Sequence, residues 1–281
     1  ETGLVDAPAL VDADEPVPAD HVPPELEPDQ DIDLASLWST AVLRRQLREP
    51  LELTERELNA QLERAFELDH ADIPPERLVD LNTQALDYYQ SRYPGSWSQH
   101  YLTNRFGLDL TGHPELRPGH APDGWTNLTT HLRRQGATEE ELLAAGLSTR
   151  ASTGRLIDRF RDRVIFPLTD PSGRQVLGFV GRRHPDLTDE HRRGPKYLNT
   201  SSTLIYRKGD QLYTAGHPHH LTSGAIPVLV EGPMDAIAIT LATHGTHIGV
   251  APLGTSLTPQ QARQLAHWHP APIIATDNDT A

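Results

Sequence analysis

The carboxy-terminal part of this chain alternates short apolar runs with helical stretches, and this alternation constrains the fold more than any other feature. Apolar runs at 227–230, 248–251 and 273–275 are typical of buried strands, and helical stretches at 233–243 and 258–268 separate them. Strands joined by helices in this way lie parallel, because each right-handed crossover returns the chain to the same edge of the sheet. The pattern therefore predicts a parallel α/β sheet.

The preceding part of the chain changes from helical to strand-like periodicity. A helix is predicted from 75 to about 89, since prolines and a glutamate open it and apolar residues recur on one face. Two apolar runs at 164–168 and 176–180 flank the turn residues 170–173, which is the signature of a hairpin. Residues 204–213 predict a further strand. The fold class expected for the whole chain is therefore α+β.

The front of the chain differs in composition from the rest. Residues 1–33 hold six prolines among carboxylates and no aromatic residue, so we expect a disordered linker. Helical patterning follows over 34–80. Residues 1–80 carry 21 acids and 6 arginines, whereas 18 acids and 19 bases occupy 81–281. The overall charge of −14 therefore describes the front of the chain, and it gives no guide to partners of the remainder.

The composition excludes several classes of protein. The chain has no cysteine, so a disulfide framework, a zinc–thiolate site and a thiolate nucleophile are all excluded. No apolar run reaches the length of a membrane helix and no signal region opens the chain, so we expect a cytoplasmic protein without a membrane partner. The first residue is Glu1 and the only methionine is Met234, which favours a piece of a longer protein.

Acidic residues follow two strands of the predicted parallel sheet. Glu231 follows the first strand, Asp235 lies one helical turn later, and Asp277 and Asp279 follow the third strand. Ligands of open parallel sheets bind beyond the carboxyl ends of the strands, and clustered carboxylates are stable around a divalent cation. Oxygen ligands favour Mg²⁺ or Mn²⁺, with Glu231, Asp277 and Asp279 as the metal ligands. Either pair alone also fits ordinary helix caps and turns.

A surplus of basic residues lies ahead of the predicted parallel sheet. Residues 150–210 hold 13 Arg or Lys and 7 Asp or Glu, a balance suited to a polyanion. Lysine occurs only at Lys196 and Lys208, and a flexible ammonium is suited to contact with a phosphate. The candidate nucleic-acid contacts also include Arg159, Arg161, Arg163 and Arg182. Any one of these arginines alone is better explained as part of a solvated surface. A nearby histidine-rich loop, 217–220, lacks the spacing of a helical metal-ligand pair.

Several motifs, taken in order, resemble the catalytic core of bacterial replicative primases of the DnaG type. No single motif decides the resemblance, but the ordered series covers most of the chain. The motifs are found at 85–89, 101–105, 119–125, 158–167, 178–182, 195–199, 207–209, 231–235, 253–256 and 277–279.

The resemblance implies a primase-core N-terminal subdomain with a basic groove at 81–222 and a partial TOPRIM domain at 223–281. It implies template-directed synthesis of short RNA primers on single-stranded DNA from ribonucleoside triphosphates, with Mg²⁺ or Mn²⁺ and a replicative helicase as a partner. The carboxylates named above would then bind metal and act in catalysis. The basic residues Arg161, Arg182, Lys196 and Lys208, together with Asn199, would line the nucleic-acid and nucleotide side.

The chain departs from the family pattern in three places. The family's zinc-binding module requires cysteines, and the acidic segment stands in its place. Asn278 occupies a position where glycine is usual. The chain ends at Ala281, before a further acidic pair, so we expect weak polymerisation or none from it alone. A TOPRIM nuclease, a plasmid or phage transfer protein with a primase-like module, and a catalytically silent DNA-binding module stay open as alternatives.

Overall fold

The computed structural model describes residues 72–186, 194–254 and 257–276. The linker expected at 1–33, and the part of the 34–80 segment that precedes residue 72, lie outside the described residues. The described residues combine helices with sheets, and this confirms the α+β prediction. The helices are α1 (Pro75–Ser91), α2 (Trp97–Phe106), α3 (Asn127–Arg134), α4 (Glu139–Ala144), α5 (His219–Thr222), α6 (Pro233–Ala242) and α7 (Pro259–Trp268).

The strands form two four-stranded sheets and one two-stranded sheet within the described residues. Their bounds are β1 (Gly119–Ala121), β2 (Ser148–Arg150), β3 (Leu156–Asp158), β4 (Arg163–Thr169), β5 (Val176–Arg183), β6 (Tyr197–Asn199), β7 (Tyr213–Thr214), β8 (Ile226–Leu229), β9 (His247–Ala251) and β10 (Ile273–Ile274). None of the helices described above combines the length and the apolar character needed to cross a lipid bilayer.

The first sheet is antiparallel, with strand order β1-β4-β5-β6. The predicted hairpin forms its centre, because β4 and β5 pair along their length. Asp170 closes the turn: its Oδ1 accepts hydrogen bonds from the backbone N–H groups of Arg174 (2.8 Å) and Gln175 (2.7 Å). Gly173 supplies the left-handed conformation that the turn requires (φ 72°).

Helix α1 packs on this sheet through buried residues that include Leu78, Leu81 and Tyr89. It approaches β1 so closely that a β-carbon at Gly119 would lie 2.6 Å from the β-carbon of Tyr89. Glycine is therefore required at this crossing. The adjoining helix α4 begins with a capping box between Thr138 and Glu141.

The second sheet has the order β10-β8-β9-β7, in which β10, β8 and β9 are parallel. This arrangement confirms the parallel sheet predicted from the carboxy-terminal alternation. Helix α6 lies directly on β9, and a β-carbon at Gly249 would overlap the Ala236 carbonyl oxygen. Strand β7 pairs antiparallel at the edge.

The strand predicted over 204–213 is wrong except at its end. Only Tyr213 belongs to a strand, β7, and the preceding residues form turns. The Thr203 hydroxyl accepts hydrogen bonds from the backbone N–H groups of Ile205 and Tyr206, and Gly209 adopts a left-handed conformation (φ 95°). Local hydroxyl-to-backbone bonds of this kind compete with strand pairing, so an apolar pattern alone misleads here.

The two four-stranded sheets share one apolar core. A single buried cluster joins Val164, Phe166 and Val180 of the first sheet to Val228 of the second sheet and to Met234 of α6. Strand β6 lies at the junction: Tyr197 packs against this shared cluster, whereas Leu198 packs against the separate core beneath α1. The shared core therefore holds the second sheet beside β5 and β6.

Candidate active site at the carboxyl edge of the parallel sheet

Two exposed carboxylates stand where β8 ends. Glu231 follows the strand, and Asp235 lies in the first turn of α6 with 53% of its side chain exposed. We call this pair the acidic edge. Gly232 is the N-cap residue of α6 and Pro233 follows it at the start of the helix, where a missing N–H costs little. Arg105, on α2 of the N-terminal region, approaches Asp235 with Nη2 3.4 Å from Oδ1.

Strand β10 leaves the sheet at the acidic edge. It runs parallel to β8, with Ile274 opposite Leu229, and the Ala275 N–H donates to the Leu229 carbonyl oxygen at 2.8 Å. Asp277 and Asp279 follow in the sequence, but both lie outside the described residues. Their predicted meeting with Glu231 therefore stays a prediction.

The donor chemistry of the acidic edge fits a hard divalent cation. Both carboxylates are exposed, and their oxygens are the ligands that Mg²⁺ and Mn²⁺ prefer. Within residues 72–186, 194–254 and 257–276, no group of three metal-ligating side chains comes together. A complete metal site at this edge would therefore need ligands beyond Glu231 and Asp235.

Basic residues approach the same edge from the first sheet and from the connection to β7. The guanidinium carbon of Arg182 lies 4.9 Å from the Tyr101 ring and 5.8 Å from the Tyr197 ring. Lys196 is exposed, and its ammonium lies 5.7 Å from the same Tyr197 ring. Lys208 is also exposed, and its Cε would lie 3.9 Å from a β-carbon at Gly254. We call Arg182, Lys196 and Lys208 the basic surface.

Asn199 connects the two sheets at the end of β9. Its Nδ2 donates to the Leu253 carbonyl oxygen at 2.7 Å. The backbone carbonyl oxygen of Asn199 accepts from Nε (2.8 Å) and Nη2 (2.6 Å) of Arg159. The loop at Leu253–Gly254 is therefore tied to the edge of the first sheet, while Thr255 and Ser256 lie outside the described residues.

Two family models match the chain. The model for the DNA primase catalytic core, N-terminal domain, matches residues 88–218, and a Toprim-like model matches 228–281. The chain belongs to the DnaG-type DNA primase family.

Curated primases resemble this chain over its central and carboxy-terminal parts. The DNA primase of Deinococcus radiodurans is 43% identical over 190 residues, which are 67% of this chain and 31% of that protein. The DNA primase of Clostridium acetobutylicum is 35% identical over 207 residues, 73% of this chain and 33% of that protein. The chain thus spans about a third of the length of these relatives.

Solved primase structures share the fold. The RNA polymerase domain of Mycobacterium tuberculosis DnaG, in complex with a double-stranded DNA oligomer with a 6-nucleotide overhang, aligns with TM-score 0.57 and 30% identity. The alignment covers 69% of this chain and 60% of that one. A DnaG primase catalytic domain bound to single-stranded DNA aligns with TM-score 0.56 and 32% identity over 73% of this chain and 62% of that one.

The arginines of the predicted primase groove occupy three different environments. Arg159 donates to the Asn199 carbonyl, as described above. Arg161 donates to the Asp158 carbonyl oxygen at 2.6 Å, and its guanidinium carbon lies 4.5 Å from the ring of Trp125. Arg163 is only 3% exposed and donates to the Gly181 carbonyl oxygen at 3.0 Å. The three arginines therefore do not form one exposed row.

The burial of Arg163 has an electrostatic cost. Burial, together with the neighbouring cations Arg183, Arg161 and Arg159, lowers its pKa from the ordinary value of 12.5 to about 10, against the opposing charge of Asp162. The side chain stays within the sheet, where it bonds backbone carbonyls. We therefore revise the expectation for Arg163 from a nucleic-acid contact to a structural residue of the primase core.

Two aromatic residues near these cations were not predicted as site residues from the sequence. Trp125 is 64% exposed and stacks on Arg161, and Tyr197 lies beneath Arg182 and Lys196. Both belong to motifs that carry the primase resemblance, 119–125 and 195–199. An aromatic ring within a basic motif is the signal that finds them, because such rings stack on cations and on nucleic-acid bases.

The histidine-rich loop has a structural role in this primase core. Glu115 accepts a hydrogen bond from the His217 backbone N–H at 3.2 Å, and its other carboxylate oxygen lies 2.7 Å from Nε2 of His220. These contacts join the segment before β1 to helix α5.

Proposed function

We propose that this chain is the catalytic core of a DNA primase, which synthesises short RNA primers on a single-stranded DNA template by metal-dependent nucleotidyl transfer. One observation supports the proposal above all: the acidic edge of the Toprim-like sheet lies beside the basic surface. A site of this kind offers both oxygen ligands for a cation and positive charge for phosphates. The family to which the chain belongs has the same activity in its curated members.

The basic surface is the part that we assign to phosphates. Lys196 and Lys208 are exposed and carry point charges on flexible stems, so they suit the incoming ribonucleoside triphosphate or the template backbone. Arg182 is held in place by its two aromatic neighbours, and Asn199 would orient the loop after β9. The solved relative with single-stranded DNA bound supports single-stranded DNA as the ligand.

We assign Arg161 to the template as well, together with Trp125, on which it stacks. An exposed indole beside a guanidinium offers a ring to a base and a cation to the neighbouring phosphate. Arg159 belongs to the same motif, but its guanidinium contacts the Asn199 carbonyl. We therefore expect Arg159 to act on the template only through the position of Asn199.

The acidic edge is the part that we assign to the metal. Glu231, Asp277 and Asp279 would hold Mg²⁺ or Mn²⁺, and Asp235 would complete the catalytic set of four. The bound ion would offset the charge that develops on the transferred phosphate and its leaving group. The contribution of the described residues is to hold the carboxylates of Glu231 and Asp235 exposed near the basic surface. A replicative helicase partner stays a prediction.

The test is a substitution at the acidic edge of the full-length protein. We expect Glu231→Gln to abolish oligoribonucleotide synthesis on single-stranded DNA in Mn²⁺, because the amide keeps the shape but loses the ligand charge. Binding of the template should be preserved. Glu140→Gln is the matched control, since Glu140 is an exposed glutamate in the first turn of α4.

Two results would contradict the proposal. If Glu231→Gln synthesises primers at the unmodified rate, the acidic edge is not the catalytic site. If the unmodified full-length protein makes no oligoribonucleotide but cleaves DNA, the nuclease alternative replaces the primase function.

A further inference from the structure

Helix α3 begins without a cap from its own chain segment. Its N-cap residue is Thr126, whose side chain makes no hydrogen bond to the first turn, although threonine hydroxyls commonly accept one there. The first N–H groups of a helix lack intrahelical partners, so they need acceptors from elsewhere when they are buried. This helix start bears on the proposed template contact, because Trp125, the exposed ring that stacks on Arg161, immediately precedes the N-cap residue.

The carboxylate of Asp158, the last residue of β3, supplies the acceptors. Its Oδ2 accepts a hydrogen bond from the backbone N–H of Leu128 at 2.9 Å, and its Oδ1 accepts one from the N–H of Thr129 at 2.8 Å. Asp158 is only 2% exposed, and both donor residues are buried. A negative charge is also favoured at the N-terminus of a helix by the helix dipole. One side chain from another element therefore caps α3.

The backbone of Asp158 contacts both members of the stacked pair. Its N–H donates to the carbonyl oxygen of Trp125 at 2.7 Å. Its carbonyl oxygen accepts from Nη1 of Arg161 at 2.6 Å. The side chain and the two backbone groups of one residue thus contact the first turn of α3, Trp125 and Arg161.

The charge of Asp158 acts on Arg161 as well. Burial lowers the pKa of the Arg161 guanidinium, and the negative charges of Asp158 and Asp123 oppose this shift. Burial in turn raises the pKa of Asp158, and the hydrogen bonds from Thr129 and Leu128 oppose that shift. A buried carboxylate is costly unless hydrogen bonds and opposite charge compensate it, so these contacts are what keep an acid at position 158.

Other contacts hold the body of α3 in place. The Thr129 hydroxyl lies 2.8 Å from the hydroxyl of Ser148 on β2. Leu128 and Leu132 are buried in the core beneath α1. We therefore expect α3 to stay on this core when the carboxylate is changed, so that the change is felt at the first turn and at the residue before it.

We propose that Asp158 is a positioning residue for the template contact formed by Trp125 and Arg161. Its carboxylate fixes the start of α3, while its backbone N–H and carbonyl hold the residues that carry the ring and the cation. The proposal rests on the proposed function for the role of this pair. It predicts that the carboxylate acts on DNA binding only through the pair.

The first test records the indole N–H signal of Trp125 by NMR in this chain, with Trp125→Phe to assign it. Asp158→Asn keeps the size of the side chain but replaces one acceptor oxygen by an N–H donor, so the signal should shift. Asn82→Ala is the matched control, because Asn82 is fully buried and donates to the Val176 carbonyl at 3.2 Å, beside the turn between β4 and β5. It should leave the Trp125 signal unchanged.

The second test measures binding of a labelled single-stranded oligodeoxynucleotide by fluorescence anisotropy. We expect Asp158→Asn to weaken binding about fivefold, because the pair is less well held, and Asn82→Ala to bind as the unmodified chain does. In a chain that already carries Trp125→Ala and Arg161→Ala, Asp158→Asn should cause no further loss. Residues that act through one another are not additive, whereas independent residues are.

Three outcomes would overturn the proposal. The first is an unchanged Trp125 signal in Asp158→Asn, and the second is an equal shift in Asn82→Ala, which would make Asp158 an ordinary core residue. The third is a further loss of binding when Asp158→Asn is added to the chain that lacks the pair.

A second variant and a separate comparison keep these outcomes distinct. If Asp158→Asn does not fold, Asp158→Glu takes its place, since it keeps the charge but moves the carboxylate by one methylene, and the same signal shift is expected. If the signal shifts but Trp125→Ala and Arg161→Ala together leave DNA binding unchanged, the positioning by Asp158 is retained. The template role that the proposed function gives to the pair is then rejected.

Discussion

The antiparallel and the parallel sheet place their charged residues differently. In the antiparallel region, Arg159, Arg161 and Arg163 each donate to a backbone carbonyl, and Arg163 is buried. At the parallel sheet, the carboxylates of Glu231 and Asp235 are exposed where β8 ends. These three guanidiniums are therefore bonded within the fold, whereas the two carboxylates at the parallel sheet reach solvent, with Asp235 beside Arg105.

This difference separates two meanings of a cluster of charges in a sequence. The basic surplus of 150–210 suggested one nucleic-acid surface, but the structure divides it between internal contacts and the basic surface, of which Lys196 and Lys208 are exposed. A guanidinium has several donors and readily satisfies carbonyls inside a fold, whereas a lysine ammonium is more often left in water. The two lysines therefore indicate the ligand-facing side better than the more numerous arginines.

The largest effect expected from this comparison is on stability. Arg163→Met should lower the free energy of unfolding by about 2 kcal/mol, because the Gly181 and Lys196 carbonyls lose their donor within the sheet. Arg134→Met, at an exposed residue in the last turn of α3, is the control and should change it by less than about 0.5 kcal/mol. Urea denaturation measures both values. Unchanged stability combined with lost template binding would return Arg163 to the binding surface.

A second prediction separates the exposed cations from the internally bonded ones. Lys196→Ala should weaken binding of a single-stranded oligonucleotide. It should also reduce the slope of log K against log salt concentration by about the amount that one phosphate contact contributes. Arg159→Ala should leave that slope unchanged, because its guanidinium contacts the Asn199 carbonyl. Fluorescence anisotropy across a salt series measures both slopes. Equal losses of slope would show that the internal contact does not withhold Arg159 from DNA.

The smallest effect concerns the pH dependence of stability at Glu115. Burial would raise the pKa of Glu115, but the hydrogen bonds from His220 and from the His217 backbone bring it below its ordinary value of 4.5. A carboxyl with a lowered folded pKa stabilises the protein above its unfolded pKa, and this contribution is lost as the pH falls through the folded value. Because the pair is partly exposed, we expect less than about 1 kcal/mol.

The measurement is the free energy of unfolding between pH 6 and pH 3 in the unmodified chain and in Glu115→Gln. The variant should lose less stability on acidification than the unmodified protein, and Glu140→Gln should follow the unmodified curve. Parallel curves for all three proteins would mean that the contact with His220 contributes no stability.

The sequence by itself determined the main elements of this protein and its family. The hairpin of β4 and β5, the order of strands and helices after residue 225, and the capping signals all follow from local periodicity and turn chemistry, which act over a few residues. The ordered motifs identified the primase family because each motif is a short stretch of neighbouring residues. The expected strand over 204–213 failed because hydroxyl and glycine turns override an apolar pattern.

Only the tertiary structure decided which charged residues face solvent and which contact each other. The burial of Arg163, the stacking of Trp125 on Arg161 and the packing of Tyr197 against the shared core involve residues that are distant in the chain or that alternate between faces of a sheet. Such contacts depend on how two sheets pack around one core. Periodicity along the chain carries no information about that packing, because each side chain's partner is set by the position of another element.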